Sequence, residues 1–246
     1  MPRNSREEWK TYNSVFDNFT NRNLFKLGSQ GYYTELLSII APGKEAVVFT
    51  AKKTDGSCVA VKVYRLETAN FRKMFDYLRV DPRLPKLGKG SAAGDPKRRT
   101  IFSWTEREYR NLLLAREANV RAPMPIAYKD NILVMELIGD GSDASPLLKH
   151  QTPEDMRSFA EQSIEMLYAW AKAGMVHGDL SEYNIINHNE QPVWIDFSHS
   201  ALLKAPNGVE LLERDVKNLC AYFKKHGVAF DEKKVLATAL KQVKQE

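Results

Sequence analysis

The alternation of apolar and polar positions divides the chain into a strand-rich stretch followed by a helical one. Two runs, Ala46–Lys52 (AVVFTAK) and Ser57–Leu66 (SCVAVKVYRL), carry the β-branched, period-two pattern of strands, and Thr54-Asp55-Gly56 between them is a hairpin turn signal. Ala41-Pro42-Gly43-Lys44-Glu45 just upstream reads as a turn flanked by strands, and the polar, aromatic-dotted stretch up to about Leu37 predicts one or two short helices. Phe102–Val120 has helical spacing, with Ser103 as the expected N-cap and Glu106 at the capping-box position. Its apolar face is centred near Leu112 and includes Trp104, Tyr109 and Ala115. Glu106 falls outside that face and Glu108 inside it. A carboxylate on an apolar face is costly to bury alone, so Glu108 needs a cation.

Farther along, NILVMELIGDGS (131–142) predicts a strand ending in a glycine turn, after a loop marked by Pro123 and Pro125. A long helix is expected from Thr152 as N-cap, with Pro153 at its first position and Asp155 completing a capping box. Met156, Phe159, Ala160, Ile164, Leu167 and Ala171 keep its period and Gly174 caps its end. Asn184 to Asn187 and Pro192 to Ile195 read as short strands around the turn HNEQ, and the chain from about Val209 is helical, one helix closing at Gly227. This order fits a two-lobed α+β enzyme. The expected division is a helical N-terminal extension over 1–37, a sheet lobe over 38–134 with a mobile basic loop at 81–100, and a mainly helical lobe over 135–246.

Composition narrows the setting. The chain has 246 residues, 43% of them hydrophobic, enough for one large domain or two lobes with a substantial core. No apolar run is long enough for a membrane span and the N-terminus is polar and charged, so a cytoplasmic protein with no membrane partner is expected. Cys58 and Cys220 match no metal-ligand spacing and read as two buried thiols of a reducing compartment. The formal net charge of +5 is concentrated among Arg83, Lys86, Lys89, Lys97, Arg98 and Arg99, between glycines and prolines, and points to an anionic partner.

Lys62, Glu108, Asp179, Asn184 and Asp196 are the residues whose types and order carry chemistry. Phosphoryl transfer from ATP needs a cation on the phosphates, a metal held by Asp and Asn, and a carboxylate that orients the attacking hydroxyl. His177-Gly178-Asp179 followed by Asn184 reproduces the D-x-x-x-x-N spacing of a kinase catalytic loop, and Ile195-Asp196-Phe197 stands where a metal-binding Asp belongs. Mg²⁺, a hard cation, suits that carboxamide and carboxylate together with phosphate oxygens. His177 reads as a structural, hydrogen-bonded histidine. Lys44 is either a solvated turn residue or a phosphate contact.

GKEAVVF, VAVKVYRL, FSWTEREYRNL, LVMELIG, HGDLSEYNI, IDFS and LLERDVKNL together resemble the RIO family of atypical serine protein kinases, most closely its first subfamily, the type 1 RIO kinases, over about Ser38–Gly227. The resemblance implies a compact bilobal protein-kinase-like fold, with an antiparallel-sheet N-lobe and a mainly helical C-lobe, that uses ATP and Mg²⁺, with Mn²⁺ as a substitute. It implies that Lys62 binds the phosphates and is held by Glu108, that Asp179 is the catalytic acceptor, and that Asn184 and Asp196 bind the metal. Gly43, Lys44, Glu45, Ala46 and Val48 would lie along the nucleotide, and Met135, Glu136 and Ile138 would form the hinge around adenine. It further implies phosphorylation of serine, autophosphorylation, transient phosphorylation of Asp196 itself, ATPase activity, and a role in late maturation of the small ribosomal subunit.

The chain departs from common kinase patterns at several points. It has no G-x-G-x-x-G, and Ala41 stands where family members more often carry Ser. Gly178 replaces the Arg of His-Arg-Asp, no Ala-Pro-Glu follows, only 18 residues separate Asp196 from Asp215, and His199 stands where many members have Gln. Two other readings share the motifs. HGDLSEYN and IDF also occur in aminoglycoside and choline kinases, which act on small molecules, although GKEA and ERDVKN weigh against these. Alternatively, ATP would set the conformation of an assembly factor that holds rRNA of the pre-small-subunit particle through the basic segment 83–99, an attraction weakened by salt.

Overall fold

The computed structural model describes residues 16–67, 74, 75, 77, 78, 81, 83 and 95–242. Two compact units emerge: one holds the described residues within 1–75, 88–109 and 125–144, the other those within 76–87, 110–124 and 145–246.

The first unit is built on a five-stranded antiparallel sheet. Its strands are β1 (Glu35–Pro42), β2 (Ala46–Lys52), β3 (Cys58–Tyr64), β4 (Pro125–Lys129) and β5 (Ile132–Glu136), in the spatial order β1-β2-β3-β5-β4. The hairpin at Thr54-Asp55-Gly56 forms as its sequence predicts. Gly56 takes a positive φ of 85°, and Asp55 Oδ1 accepts from the Ser57 backbone N–H at 2.9 Å. Strand alternation then sorts the side chains. Val47, Phe49, Ala51, Val59, Val61 and Val63 join Ile132 and Val134 in one buried cluster, whereas Val48 and Lys62, direct cross-strand partners, project from the opposite face. Helix α1 (Asn18–Ser29), capped by the Asp17 side chain on the Thr20 N–H, closes the cluster with Leu24 and Leu27. The Tyr33 hydroxyl donates to Leu24 O at 2.7 Å, and burial raises its pKa. The expected extension 1–37 thus includes the start of β1, and its first 15 residues lie outside the described residues.

The second unit is mostly helical, with α3 (Met156–Lys172), α4 (Gly208–Lys225) and α5 (Glu232–Gln242). Phe159, Leu167, Trp170, Leu212, Val216, Leu219 and Phe223 are buried there. Two short antiparallel pairs complete it: β7 (Ile185–His188) with β8 (Gln191–Trp194), and β6 (Met175–Val176) with β9 (Ala201–Leu202).

Four sequence expectations are corrected. Helix α2 runs Pro96–Glu117, so Ser103 lies inside it and caps nothing; the Asp95 carboxylate accepts from the Lys97 N–H at 3.0 Å and Pro96 opens the helix. Lys97, Arg98 and Arg99 are therefore helical, while 84–94 of the expected basic loop lies outside the described residues. The cap of α3 is Asp155, which accepts from the Ser158 N–H, and not Thr152. Both thiols are free, but only Cys220 is buried; Cys58 is partly exposed at the start of β3. Among the described residues no helix is long and apolar enough to cross a membrane.

Candidate functional site

Two side chains of β3 converge on the buried Glu108. Lys62 Nζ lies 2.7 Å from Glu108 Oε1, their side chains 8% and 1% exposed, and the Tyr64 hydroxyl donates to Oε2. β3 aims Lys62 away from the apolar cluster and α2 turns Glu108 inward, so the cation that the helical pattern of Glu108 demands is Lys62. Tyr64, two residues along the same strand, was not foreseen, although period two places it on Lys62's face. A buried pair of this kind has a large desolvation cost offset only by close geometry, so removing either partner alone is disruptive.

The other expected nucleotide-contact residues lie in β2, in β5 and in the turns next to them. The turn narrows to Gly43, Lys44 and Glu45, because Ala41 and Pro42 already pair with Val48 and Val47. A Cβ at Gly43 would come 2.7 Å from Ala46 O, which explains glycine there. Lys44 is exposed, Ala46 opens β2, and Val48 is half-buried beside Lys62. Met135 and Glu136 end β5 opposite Ala60 and Val59, and Ile138 is partly exposed before the Gly139 turn.

In the second unit the segment from His177 to Asn184 is held almost entirely by backbone bonding. Gly178 has φ 81°. Its N–H and that of Leu180 donate to the Asp215 carboxylate at 2.7 and 2.9 Å, Arg214 donates to Gly178 O, and Asn218 donates to Leu180 O at 3.0 Å. Burial pushes the Asp215 carboxyl up to about 7, opposed by those two backbone N–H groups and by Arg214. His177 is structural, as expected: Nε2 bonds Ile195 O at 3.0 Å and the ring packs against Trp194 and Phe197. Asp179 stays half-exposed at the tip. Asn184 Nδ2 donates to its backbone oxygen at 2.7 Å and to its Oδ2 at 3.1 Å.

Asp196 follows β8 in a left-handed conformation, φ 60° and ψ 63°, uncommon outside glycine and a frequent mark of functional positions. Ser198 Oγ donates to its Oδ1 at 2.7 Å, and the buried Asn111 amide donates to Phe197 O and Ser200 O, fixing the turn that presents it. Among the described residues no three His, Cys, Asp or Glu side chains group as a metal site. The donor set nevertheless suits a hard cation. The Asn184 nitrogen is engaged by Asp179, so its oxygen is the atom that would face a cation, and Asp196 would add a carboxylate. Two protein oxygens with phosphate oxygens and water are the usual way Mg²⁺ is held.

Sequence reasoning missed the roles of Asp215, Arg214 and Ser198. A signal for Asp215 was present: Leu211, Leu212, Val216 and Leu219 surround it on the apolar face of α4, the same anomaly that singled out Glu108.

Known proteins resemble this chain in both sequence and fold. The RIO domain profile matches residues 47–235. The RIO-type serine/threonine-protein kinase Rio1 of Haloferax volcanii is 38% identical over 225 residues, spanning 92% of this chain and 76% of that protein. Its namesake from Methanocaldococcus jannaschii is 40% identical over 226 residues, 90% of this chain and 74% of that protein. The human serine/threonine-protein kinase RIO1 is 34% identical over 222 residues, and the chain spans only 38% of its length. A crystal structure of the Rio2 kinase–ADP/Mg²⁺–phosphoaspartate complex from Chaetomium thermophilum superposes with a TM-score of 0.67 at 21% identity, covering 91% of this chain and 66% of that one. That likeness shows a bilobal kinase-like fold. With the domain profile matched over most of its length and archaeal relatives at this identity, the chain belongs to the RIO domain family.

Proposed function

We propose that the chain is a type 1 RIO serine/threonine protein kinase and ATPase. The observation that carries this reading is the Asp179–Asn184 pair, set on a loop whose backbone is clamped by Asp215. In this reading Asp179 accepts the proton of an acceptor serine hydroxyl as its oxygen bonds the γ-phosphorus of ATP; the bond to the β–γ bridging oxygen breaks and ADP leaves. Lys62, held by Glu108, neutralises phosphate charge. Gly43, Lys44, Glu45, Ala46 and Val48 line the phosphates, and Met135, Glu136 and Ile138 take the adenine. Asn184 and Asp196 would hold Mg²⁺, or Mn²⁺ in its place. The bound cation offsets charge on the phosphate oxygens.

Asp196 serves as a transient phosphoryl acceptor as well: its carboxylate oxygen bonds the γ-phosphorus as ADP leaves, and water then hydrolyses the acyl phosphate to inorganic phosphate and restores the carboxylate. The phosphoaspartate of the Chaetomium thermophilum Rio2 complex supports that part of the reading. The physiological setting we propose is small-subunit maturation in the cytoplasm, with Arg83, Lys97, Arg98, Arg99 and their neighbours in 83–99 touching rRNA phosphates. Serine autophosphorylation accompanies it.

Turnover of labelled ATP by the wild type, Asp179→Ala and Asp196→Asn tests the site. Loss of at least tenfold in both variants is expected, and retained activity in both would overturn the assignment. For the ribosomal role, co-sedimentation with small-subunit precursors should weaken with salt and differ between apo and ATP-bound protein. Binding indifferent to salt and nucleotide would overturn it.

A further inference from the structure

We propose that Arg214 is a positioning residue that acts through Asp179, an inference resting on Asp179 being the catalytic carboxylate. Consecutive residues of α4 grip one glycine from both sides. Asp215 accepts the Gly178 N–H at 2.7 Å, and Arg214 Nη2 donates to the Gly178 carbonyl. The same Nη2 lies 4.0 Å from Asp179 Oδ1. The other oxygen of that carboxylate, Oδ2, accepts from Asn184 at 3.1 Å. Asp179 is thus held by an amide on one oxygen and faced by a cation at the other.

The location of this cation follows from Gly178. A His-Arg-Asp loop carries its arginine immediately before the catalytic Asp. Here φ at Gly178 is 81° and an added Cβ would meet His199 O at 2.8 Å, so no side chain fits. The guanidinium arrives from the helix beneath instead. Its planar fork carries five N–H donors, so a bond to one carbonyl leaves others for solvent while the positive charge stays close to Asp179. Both side chains are about half exposed, 49% and 51%, leaving the carboxylate accessible to an acceptor while its orientation is restrained. The neighbouring carboxyl of Asp215 is buried and engaged by the Gly178 and Leu180 N–H groups.

A double-mutant cycle separates action through Asp179 from support of the loop. Arg214→Gln keeps a donor for the Gly178 carbonyl and removes the charge; Arg214→Lys keeps the charge. In the otherwise wild-type protein Arg214→Gln should lower kcat for labelled ATP turnover about two- to fivefold, the scale of a half-exposed ion pair. KM for ATP and thermal midpoint should be unchanged, and Arg214→Lys should recover at least half of the loss. On the residual activity of Asp179→Asn, Arg214→Gln should cost nothing further. An equal penalty in both backgrounds, or no penalty in the first, would overturn the role of Arg214 while leaving the site assignment intact. Full turnover by Asp179→Asn alone would instead remove the underlying reading.

Discussion

Gly178 and His199 approach so closely that a single Cβ on the glycine would lie 2.8 Å from the histidine's carbonyl oxygen, and Gly178 sits at φ 81°. Both features exclude a side chain immediately before Asp179.

Gly178→Ala should therefore destabilise the protein by about 2 kcal/mol or more, combining left-handed backbone strain with a displaced His199 carbonyl. Urea unfolding measures this. A loss under 0.5 kcal/mol, on the scale of an ordinary surface change, would mean that the loop relaxes freely. Turnover should fall with stability, because the displaced peptide precedes Asp179.

The Lys62–Glu108 pair makes a second prediction. Glu108→Gln leaves a buried ammonium poorly matched and should cost about 3 kcal/mol. Lys62→Met combined with Glu108→Leu should recover most of that loss in chemical unfolding, since an apolar pair of similar volume avoids desolvation. ATP turnover should not return in the double variant. Recovery of turnover would separate the pair from catalysis.

Asp215 makes stability depend on pH. Its folded-state value of about 7 lies above the ordinary 3.8, so between these pH values the folded protein keeps a proton that the unfolded chain has released. The stabilisation is complete below pH 3.8 and is lost as pH rises through about 7. Unfolding free energies from pH 4.5 to 8 should fall more steeply for the wild type than for Asp215→Asn. A wild-type stability that rises relative to the variant over this interval would contradict the burial argument.

The two thiols should differ in reactivity. Burial pushes Cys220 up to about 11, whereas Cys58 is partly exposed. Alkylation at pH 8 followed by mass spectrometry should label Cys58 in the native protein and both after unfolding. Equal native labelling would show that α4 opens readily.

Local pattern carried far in this chain. The hairpin over Ala46–Tyr64 follows from strand alternation and one Asp-Gly turn, because residues close in sequence meet with little loop entropy. Glu108's demand for a cation was legible because helical periodicity places it among Trp104, Leu112 and Ala115. The helix starts were read less well. Asp95-Pro96 is a sound start signal, but its glycine-rich, basic surroundings looked like loop, and Thr152-Pro153 resembled a start that Asp155 takes instead.

By itself, the sequence determined the strand pairing next to the hairpin, the helical faces and the order of Lys62, Glu108, Asp179, Asn184 and Asp196. It could not say that Asp215 clamps Gly178, that Arg214 faces Asp179, that Tyr64 completes the shell of Glu108, or that the His199 carbonyl leaves Gly178 no side chain. Those relationships join residues from 21 to 44 positions apart, or bond side chains to backbone groups common to every residue. A backbone N–H has no residue identity for a pattern to register. Only the folded chain decides which carboxylate it meets.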